Sequence, residues 1–219
     1  METSRGYRIA LGPHVSTLDD LLDAHRAELS GCRRCAFNAQ VRPIVSMARS
    51  PRVMLVGQAP GKVEASGGKP FAGRAGKTLF SWLARAGIDE ATARDRIYIA
   101  AVTRCFPGPA PSGRGDRVPS PAEREQCASW LERERAIIKP RLVIPVGRLA
   151  IDAILGPRPL DEVIGGEFPL DTRTVAVPLP HPSGASSWIH QAGHDVLLER
   201  ALRRVRHHWQ QIHRGARAA

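Results

Sequence analysis

The chain has 219 residues, of which 42% are hydrophobic and 24% are charged. This composition is ordinary for a globular protein, and no apolar run approaches the roughly 20 residues that a membrane helix needs. The 32 basic residues outnumber the 21 acidic ones, which gives a net charge of +11. Such a balance favours a polyanionic partner, nucleic acid ahead of an acidic membrane, although a GC-rich genome would also enrich arginine.

Helices and strands alternate along the chain. Leucines at helical spacing predict a helix over 17–29 with Thr17 as its cap, and a Ser-Pro-x-Glu start predicts another helix from Ser120. Further helices are predicted over 77–86, 148–155 and 195–213, and short apolar runs predict strands over 52–56, 96–102, 141–146 and 174–179. The alternation predicts a three-layer α/β/α fold with a four-stranded, mainly parallel central sheet.

We expect residues 1–219 to form a single domain, with flexible termini at 1–16 and 212–219. The first residues include Glu2, Arg5 and Arg8 and no continuous apolar stretch, so no secretory signal is visible. A cytoplasmic monomer that does not enter a membrane is therefore expected.

Three distinctive loops begin where predicted strands end. They are Gly57-Gln58-Ala59-Pro60-Gly61, the turn after residue 102, and His181-Pro182-Ser183. The active sites of parallel sheets lie beyond the carboxyl ends of the strands, so we expect these loops to converge. The glycines of the first loop allow a ligand to approach the backbone, although an ordinary strand-to-helix turn has the same composition.

Two side chains in the loops could contact a planar nucleobase or a leaving anion. Phe71 lies in a loop, where its ring either stacks on a planar base or fills the core. His181 directly follows a predicted strand between two prolines. It can donate a hydrogen bond to a leaving anion or act as an acid or base, and the alternative is an ordinary histidine at a strand end.

The four cysteines predict a metal centre. Cys32 and Cys35 have the Cys-x2-Cys spacing of a chelating pair, and Cys105 and Cys127 follow 69 and then 21 residues further on. Four thiolates suit zinc or an iron–sulfur cluster, and on spacing alone zinc ranks slightly ahead. A redox pair is disfavoured because no strand precedes it and two arginines lie inside it.

Together, these motifs resemble those of the iron–sulfur uracil-DNA glycosylases, families 4 and 5 of that superfamily. The resemblance covers most of residues 30–205, and the order and spacing of six segments carry it. They are Cys32-x2-Cys35, GQAPG at 57–61, GKPFAGRAG at 68–76, AAVTRC at 100–105, PSPAEREQC at 119–127 and HPS at 181–183. The resemblance implies a 4Fe–4S cluster, rather than zinc, on Cys32, Cys35, Cys105 and Cys127.

The resemblance also implies a reaction, the hydrolytic removal of uracil from DNA to leave an abasic site. His181 would stabilise the uracil anion, Gln58 would orient the water, and Glu64, the nearest acid of the first loop, would act as an electrostatic partner. Phe71 would stack on the flipped base. The remaining substrate-binding residues would be Gly57, Ala59, Ala101 and Ser183.

Contacts to DNA are expected from two other segments. Arg114 and Arg117, in the long irregular loop 106–120, would bind phosphates. Trp188 or Ile189 would fill the gap that the flipped base leaves, and the alternative is that Trp188 packs within its own domain.

The sequence departs from both families at named positions. Family 4 usually has Glu where this chain has Gln58, and it has Asn where this chain has Ala101; family 5 tends to have Asn soon after the HPS motif, where this chain has 184–188. The chain is thus a hybrid or divergent branch. Two other functions remain open: a non-catalytic protein that binds DNA lesions or abasic sites, and a metal-stabilised RNA-binding or regulatory module.

Overall fold

The computed structural model describes residues 16–35, 41–112, 115–183 and 188–214. In these ranges lie five strands: β1 Val53–Gly57, β2 Ile97–Ala101, β3 Leu142–Pro145, β4 Phe168–Pro169 and β5 Val175–Ala176. All residues of β1 and β3 are buried. This is the pattern of parallel strands covered on both faces, so the three predicted strands at 52–56, 96–102 and 141–146 are confirmed.

The sheet has the strand order β2-β1-β3-β5-β4. Strands β2, β1, β3 and β5 run parallel to one another, and β4 pairs antiparallel with β5. The prediction of four strands is therefore wrong by one. The fifth strand, β4, has only two residues, too few for any hydrophobic pattern to reveal it.

The predicted strand over 174–179 is shorter than expected. Only Val175–Ala176 forms β5, because Pro178 and Pro180 have no N–H to donate to a ladder. The alternate residues Val177 and Leu179 still donate to the carbonyls of Val143 and Pro145, each at 2.9 Å. The chain therefore stays beside β3 as far as the HPS motif.

Eight α-helices are described: α1 Leu18–Ser30, α2 Lys62–Gly67, α3 Arg74–Arg85, α4 Glu90–Arg96, α5 Pro121–Ile138, α6 Arg148–Leu155, α7 Leu160–Val163 and α8 His194–Arg214. The predicted capping of α1 by Thr17 and of α5 by Ser120 is confirmed, each as a reciprocal capping box. Helices α2, α4 and α7 have seven residues or fewer, too short for sequence periodicity. Helix α8 extends to Arg214, so residues 212–214 are helical, and the flexibility expected of the termini stays a prediction.

Helices pack on both faces of the sheet. Alternate residues of β1 divide between two cores, with Val53 and Leu55 in one and Met54 and Val56 in the other. Helices α3, α4 and α8 contribute to the first core, and α1, α5 and α6 to the second. In the described part of the chain, no helix is long and apolar enough to cross a membrane.

The strand order creates a crevice at one edge of the sheet. From β1 the chain passes to β2 on one side, and β3 lies on the other side of β1. Ligands of parallel sheets bind where the strand order reverses in this way. Gly57 at the end of β1 and Val146 just after β3 both face the cavity at this point.

Candidate active site and metal centre

A cavity of about 740 Å³ opens at the carboxyl edge of the sheet. All eight residues that the sequence assigns to catalysis or substrate binding line it, so the expected convergence of the loops is present. They are Gly57, Gln58, Ala59, Glu64, Phe71, Ala101, His181 and Ser183. Proximity brings these residues into one site, and their individual roles stay predictions.

His181 is held as a neutral hydrogen-bond donor. Burial lowers the pKa of its imidazole below the ordinary value of 6.5, so the ring is uncharged at neutral pH. The backbone N–H of Ser183 donates to His181 Nδ1 at 3.2 Å, and the Ser183 hydroxyl lies 2.8 Å from the same atom. A ring nitrogen that accepts carries no proton, so the single proton of this neutral ring resides on Nε2.

Gly147 makes room for the His181 ring. It has a positive φ of 84°, and a Cβ there would lie 2.8 Å from His181 Cδ2. Real Cβ atoms do not approach so closely, so any side chain at this position must displace the imidazole. The turn after β3 is therefore part of the site, although Gly147 has no side chain that could react.

Phe71 has an uncommon backbone conformation that fixes its ring against β1. Its φ is 52°, a left-handed value that an aromatic residue rarely adopts. Arg94 donates to the carbonyls of Pro70 and Phe71, at 2.9 and 3.3 Å. A Cβ at Gly57 would lie 2.8 Å from Phe71 Cζ, so the ring rests directly on the glycine that ends β1. Such local strain is typical of residues positioned for function.

Glu64 ties two loops together. Its carboxylate accepts the backbone N–H groups of Gly61 at 3.0 Å and Gly73 at 2.9 Å, one at each oxygen. The side chain therefore connects the GQAPG loop to the start of α3. Gln58 lies on the same cavity wall, and its carbonyl accepts the N–H of Thr103 at 3.2 Å.

Three charged side chains that the sequence does not assign to this cavity also line it: Lys62, Arg74 and Asp116. Lys62 and Arg74 begin α2 and α3, and Asp116 belongs to the long loop 106–120. Lys62 directly follows the GQAPG loop, whereas Arg74 and Asp116 are distant in sequence from the strand ends and only the folded loops bring them to the mouth of the cavity. The one available signal is the length of the 106–120 loop.

The predicted DNA wedge is not supported at Trp188. Its side chain is only 8% exposed and packs in a small core with Ile151, Val163 and Ile164. The indole N–H donates to Asp161 at 2.5 Å. Trp188 therefore packs within its own domain, as the alternative for this residue held. Ile189 is also partly buried, against the same core, and its role as a wedge stays a prediction.

The two predicted phosphate-binding arginines have different outcomes. Arg114 lies outside the described residues. Arg117 lines the cavity but forms a double ion pair with Glu123, at 2.7 and 2.5 Å. These hydrogen bonds, chiefly from Arg117, lower the pKa of Glu123 to about 2. Arg117 therefore already has a carboxylate partner at the start of α5.

The four cysteines surround a second, small cavity. Cys32, Cys35, Cys105 and Cys127 all line it, with no disulfide among them. Burial raises the pKa of the Cys105 thiol to about 12, and the other three cysteines add to this increase. A cationic metal core bound in this cavity would stabilise the thiolates, because its positive charge offsets the repulsion between them.

Hydrogen-bond donors already face two of these sulfurs. The Arg104 backbone N–H lies 3.3 Å from Cys127 Sγ, and the Trp130 indole N–H lies 3.3 Å from Cys32 Sγ. Among the described residues, no three His, Cys, Asp or Glu side chains are grouped closely enough to bind a single metal ion. Four cysteine side chains lining one cavity are the donor set that a 4Fe–4S cluster takes, so these residues fit such a group.

Comparison with known proteins agrees with this geometry. The family model of the uracil DNA glycosylase superfamily matches residues 45–204. The chain belongs to the uracil DNA glycosylase superfamily.

Individual relatives resemble part of the chain. It is 32% identical to a type-4 uracil-DNA glycosylase of Archaeoglobus fulgidus over 64% of each chain, and 28% identical to one of Thermotoga maritima over 62% of this chain and 66% of the relative. A type-5 uracil-DNA glycosylase of Mycobacterium tuberculosis is 33% identical over 57% of this chain and 50% of its own length. The chain thus spans less than two thirds of each of these relatives.

Proposed function

We propose that the protein hydrolyses the N-glycosidic bond of uracil in DNA, releasing uracil and leaving an abasic site. The observation that carries the proposal is the neutral His181, whose Nε2–H is the one ring donor left by the Ser183 contacts. The cavity around it also holds Phe71, whose rigid ring offers a stacking surface. Superfamily membership and resemblance to type-4 and type-5 enzymes support the same assignment.

The chemistry follows from the charge that develops as the base departs. When the bond between C1′ and N1 breaks, its electron pair moves onto uracil, and a fixed donor lowers the barrier by stabilising that anion. A neutral imidazole suits this task because it is already in position and donates without losing its proton. Stacking on Phe71 would hold the flipped base in the plane that His181 addresses.

Backbone groups take part in place of the side chains that this chain lacks. Ala101 cannot read the edge of a base with its side chain. It lines the cavity at the end of β2, paired with Gly57, and its carbonyl already accepts from Arg104 Nη1 at 2.6 Å. Gln58 can orient a water molecule but cannot accept a proton as a carboxylate does. The binding of uracil therefore depends on shape and main chain to a greater degree than on amide side chains.

The four cysteines would hold a 4Fe–4S cluster in the second cavity. When bound, the cluster would supply a structural cross-link between α1, the segment after β2 and α5, and hydrolysis needs no electron from it. Cys32 and Cys35 follow α1, Cys105 follows β2, and Cys127 lies in α5. This arrangement would fix the carboxyl end of β2, where Ala101 faces the substrate cavity.

Phosphate contacts would come from the rim of the cavity. Lys62 and Arg74 are exposed there, and neither forms an ion pair with a carboxylate in the described part of the chain. Arg117, in contrast, is already paired with Glu123. Unpaired cations next to the cavity suit the two phosphates that flank a flipped nucleotide.

The test is a single-turnover assay on a labelled oligonucleotide with one uracil, in single- and double-stranded form. We expect release of uracil and an alkali-labile abasic site. Hypoxanthine and xanthine oligonucleotides would define the base range. Tight binding to the uracil strand with no abasic product would instead favour the second candidate, a non-catalytic lesion-binding protein, for which the absence of a carboxylate at Gln58 is the specific argument.

A further inference from the structure

Hydrolysis requires a negative group that the GQAPG loop does not supply. The sugar becomes positively charged as uracil leaves, and the attacking water must lose a proton. The neutral amide of Gln58 can neither balance the positive charge on the sugar nor accept the proton of the water. Of the described residues that line the cavity, only Glu64 and Asp116 have carboxylates.

Glu64 is unsuited to proton transfer. Both of its oxygens accept backbone N–H groups, from Gly61 and Gly73, and its side chain is 9% exposed. Protonation would weaken these two contacts, which connect the loops of the site. Glu64 is therefore a positioning residue, and the sequence-based role of electrostatic partner needs another carboxylate.

Asp116 has a carboxylate with no such engagement. Its Oδ2 lies 2.7 Å from the point where a Cβ on Gly61 would stand, and Glu64 Oε2 lies 2.8 Å from the same point. Both carboxylates therefore lie on the Cβ side of the last residue of the GQAPG loop, and they come from two different chain segments. No hydrogen bond or ion pair joins the Asp116 side chain to another residue in the described ranges.

The segment that carries Asp116 is braced. Asp116 forms a β-bridge with Pro109. Next to it, the N–H of Ala110 donates to the Gly115 carbonyl and the N–H of Arg117 donates to the Gly108 carbonyl, both at 3.0 Å. The Arg117 guanidinium then binds Glu123, which caps α5. Two backbone hydrogen bonds and an ion pair thus hold the free carboxylate at the mouth of the cavity.

We propose that Asp116 is the catalytic carboxylate of this enzyme, contributed by the loop after β2 instead of the loop after β1. The inference rests on the proposed glycosylase function. The Asp116 carboxylate stabilises the positive sugar and takes one proton from the attacking water. The water oxygen bonds to C1′, the electron pair of the C1′–N1 bond leaves with uracil, and the Asp116 proton passes to solvent.

The assay compares four proteins by single-turnover excision at saturating enzyme: wild type, Asp116→Asn, Asp116→Asn with Gln58→Glu, and Asp195→Asn. Asp195 is an exposed carboxylate at the start of α8 that does not line the cavity. Its variant is the control for the added unit of positive charge. Thermal melts and DNA affinity are measured for each protein.

We expect Asp116→Asn to slow excision about a hundredfold, the lower end of the effect of losing one acid–base group. The melting temperature and DNA affinity should stay within the range of the Asp195→Asn control. Adding Gln58→Glu should recover at least tenfold, because it returns a carboxylate to the same cavity wall. The rate of wild type should fall in acid, and this acid limb should flatten in Asp116→Asn.

The outcomes separate the two proposals. If wild type excises uracil and Asp116→Asn does so at a near-normal rate, the assignment of Asp116 is overturned and the glycosylase function stands. If Asp116→Asn is slow but Gln58→Glu gives no recovery and the acid limb persists, the residue is structural and the assignment also fails. If wild type releases no uracil, the proposed function fails and this inference falls with it.

Discussion

The two cavities differ in how their walls are built. Beside the cysteines, Arg104 and Glu134 form a buried ion pair, and Glu134 also accepts from Tyr98 and lies 3.1 Å from His25. These four side chains are at most 3% exposed, so their charged and polar groups pair away from water, although Arg104 Nε and His25 Nδ1 have no hydrogen-bond partner among the described residues. The substrate cavity instead uses glycines, a strained Phe71 and exposed charges at its rim.

The difference teaches where this chain tolerates change. A buried network fails as a unit when one member is lost, because the partner is left with an uncompensated charge. In the open cavity, side chains other than Glu64 and Arg117 are expected to act on substrate and not on a neighbour, so the loss of one should remove one function. We therefore expect variants of the buried network beside the cysteines to lose stability, and variants of the substrate cavity to lose excision rate.

The largest effect is expected at the cysteines. Protein prepared without oxygen should contain about four iron atoms per chain, and Cys127→Ser should contain almost none. Its melting temperature should fall by roughly 10 °C, since about 4 kcal/mol shifts a chain of this size by 2–4 °C per kcal/mol. Iron analysis and thermal melts measure both effects, with His181→Ala as a control that keeps its iron. Zinc without iron in the wild type would contradict the prediction.

His181→Ala should lower single-turnover excision by a hundredfold or more, with little change in DNA affinity. The loss is that of one preorganised donor to a developing anion, worth about 3–4 kcal/mol in the transition state. The melting temperature should change little, because the half-buried ring contributes little packing. Near-normal excision by the folded variant would move the anion-stabilising role to another residue.

Gly147→Ala sharpens the comparison, because it moves the His181 ring without changing residue 181 itself. The new methyl group would strain a φ of 84° and displace the imidazole. We expect excision to fall at least tenfold and stability to fall by about 1–2 kcal/mol. Gly156→Ala is the matched control, with a φ of 78° and open space around its Cβ position. It should lose comparable stability and keep its rate; equal loss of rate in both would show that strain, not His181, is responsible.

Replacing Lys62 and Arg74 together by alanine should weaken DNA binding and reduce its salt dependence. Each phosphate contact contributes about 0.9 to the slope of log affinity against log salt, so the slope should fall by about 2. Arg133→Ala on α5, whose guanidinium is paired with Glu28, should change the slope far less. An unaltered slope in the double variant would exclude these residues as phosphate ligands.

Glu123→Gln should have the smallest effect on stability, and that effect should be present at neutral pH and be lost in acid. The pKa of Glu123 is about 2, below its ordinary 4.5, so the carboxylate stabilises the fold above pH 4.5 and loses this contribution as the pH falls towards 2. Wild type should be a few degrees more stable than the variant at pH 7, and the difference should close in acid. A difference that is independent of pH would contradict the assignment.

Sequence patterns predicted most of the fold because β1, β2 and β3 are buried apolar runs between capped helices. They failed at β4 and α7, which have two and four residues and owe their form to packing. The eight residues predicted for the cavity meet there because parallel strands share one carboxyl edge. Asp116 escaped prediction because its position depends on a bridge within an irregular loop. The two alternatives for Trp188 could not be separated from sequence because its burial depends on α7 and Asp161.

The unpaired cations at the cavity rim also have a consequence for how the proposed glycosylase would locate uracil along DNA. Lys62 and Arg74 have no fixed protein partner in the described ranges, so exchanging one phosphate for the next leaves their own environment unchanged. Contacts of this kind let a protein slide and hop along a duplex. On the proposed function, we expect the protein to inspect neighbouring bases in succession at low salt. It should then excise two uracils on one strand in a single encounter more often than two separate encounters would produce.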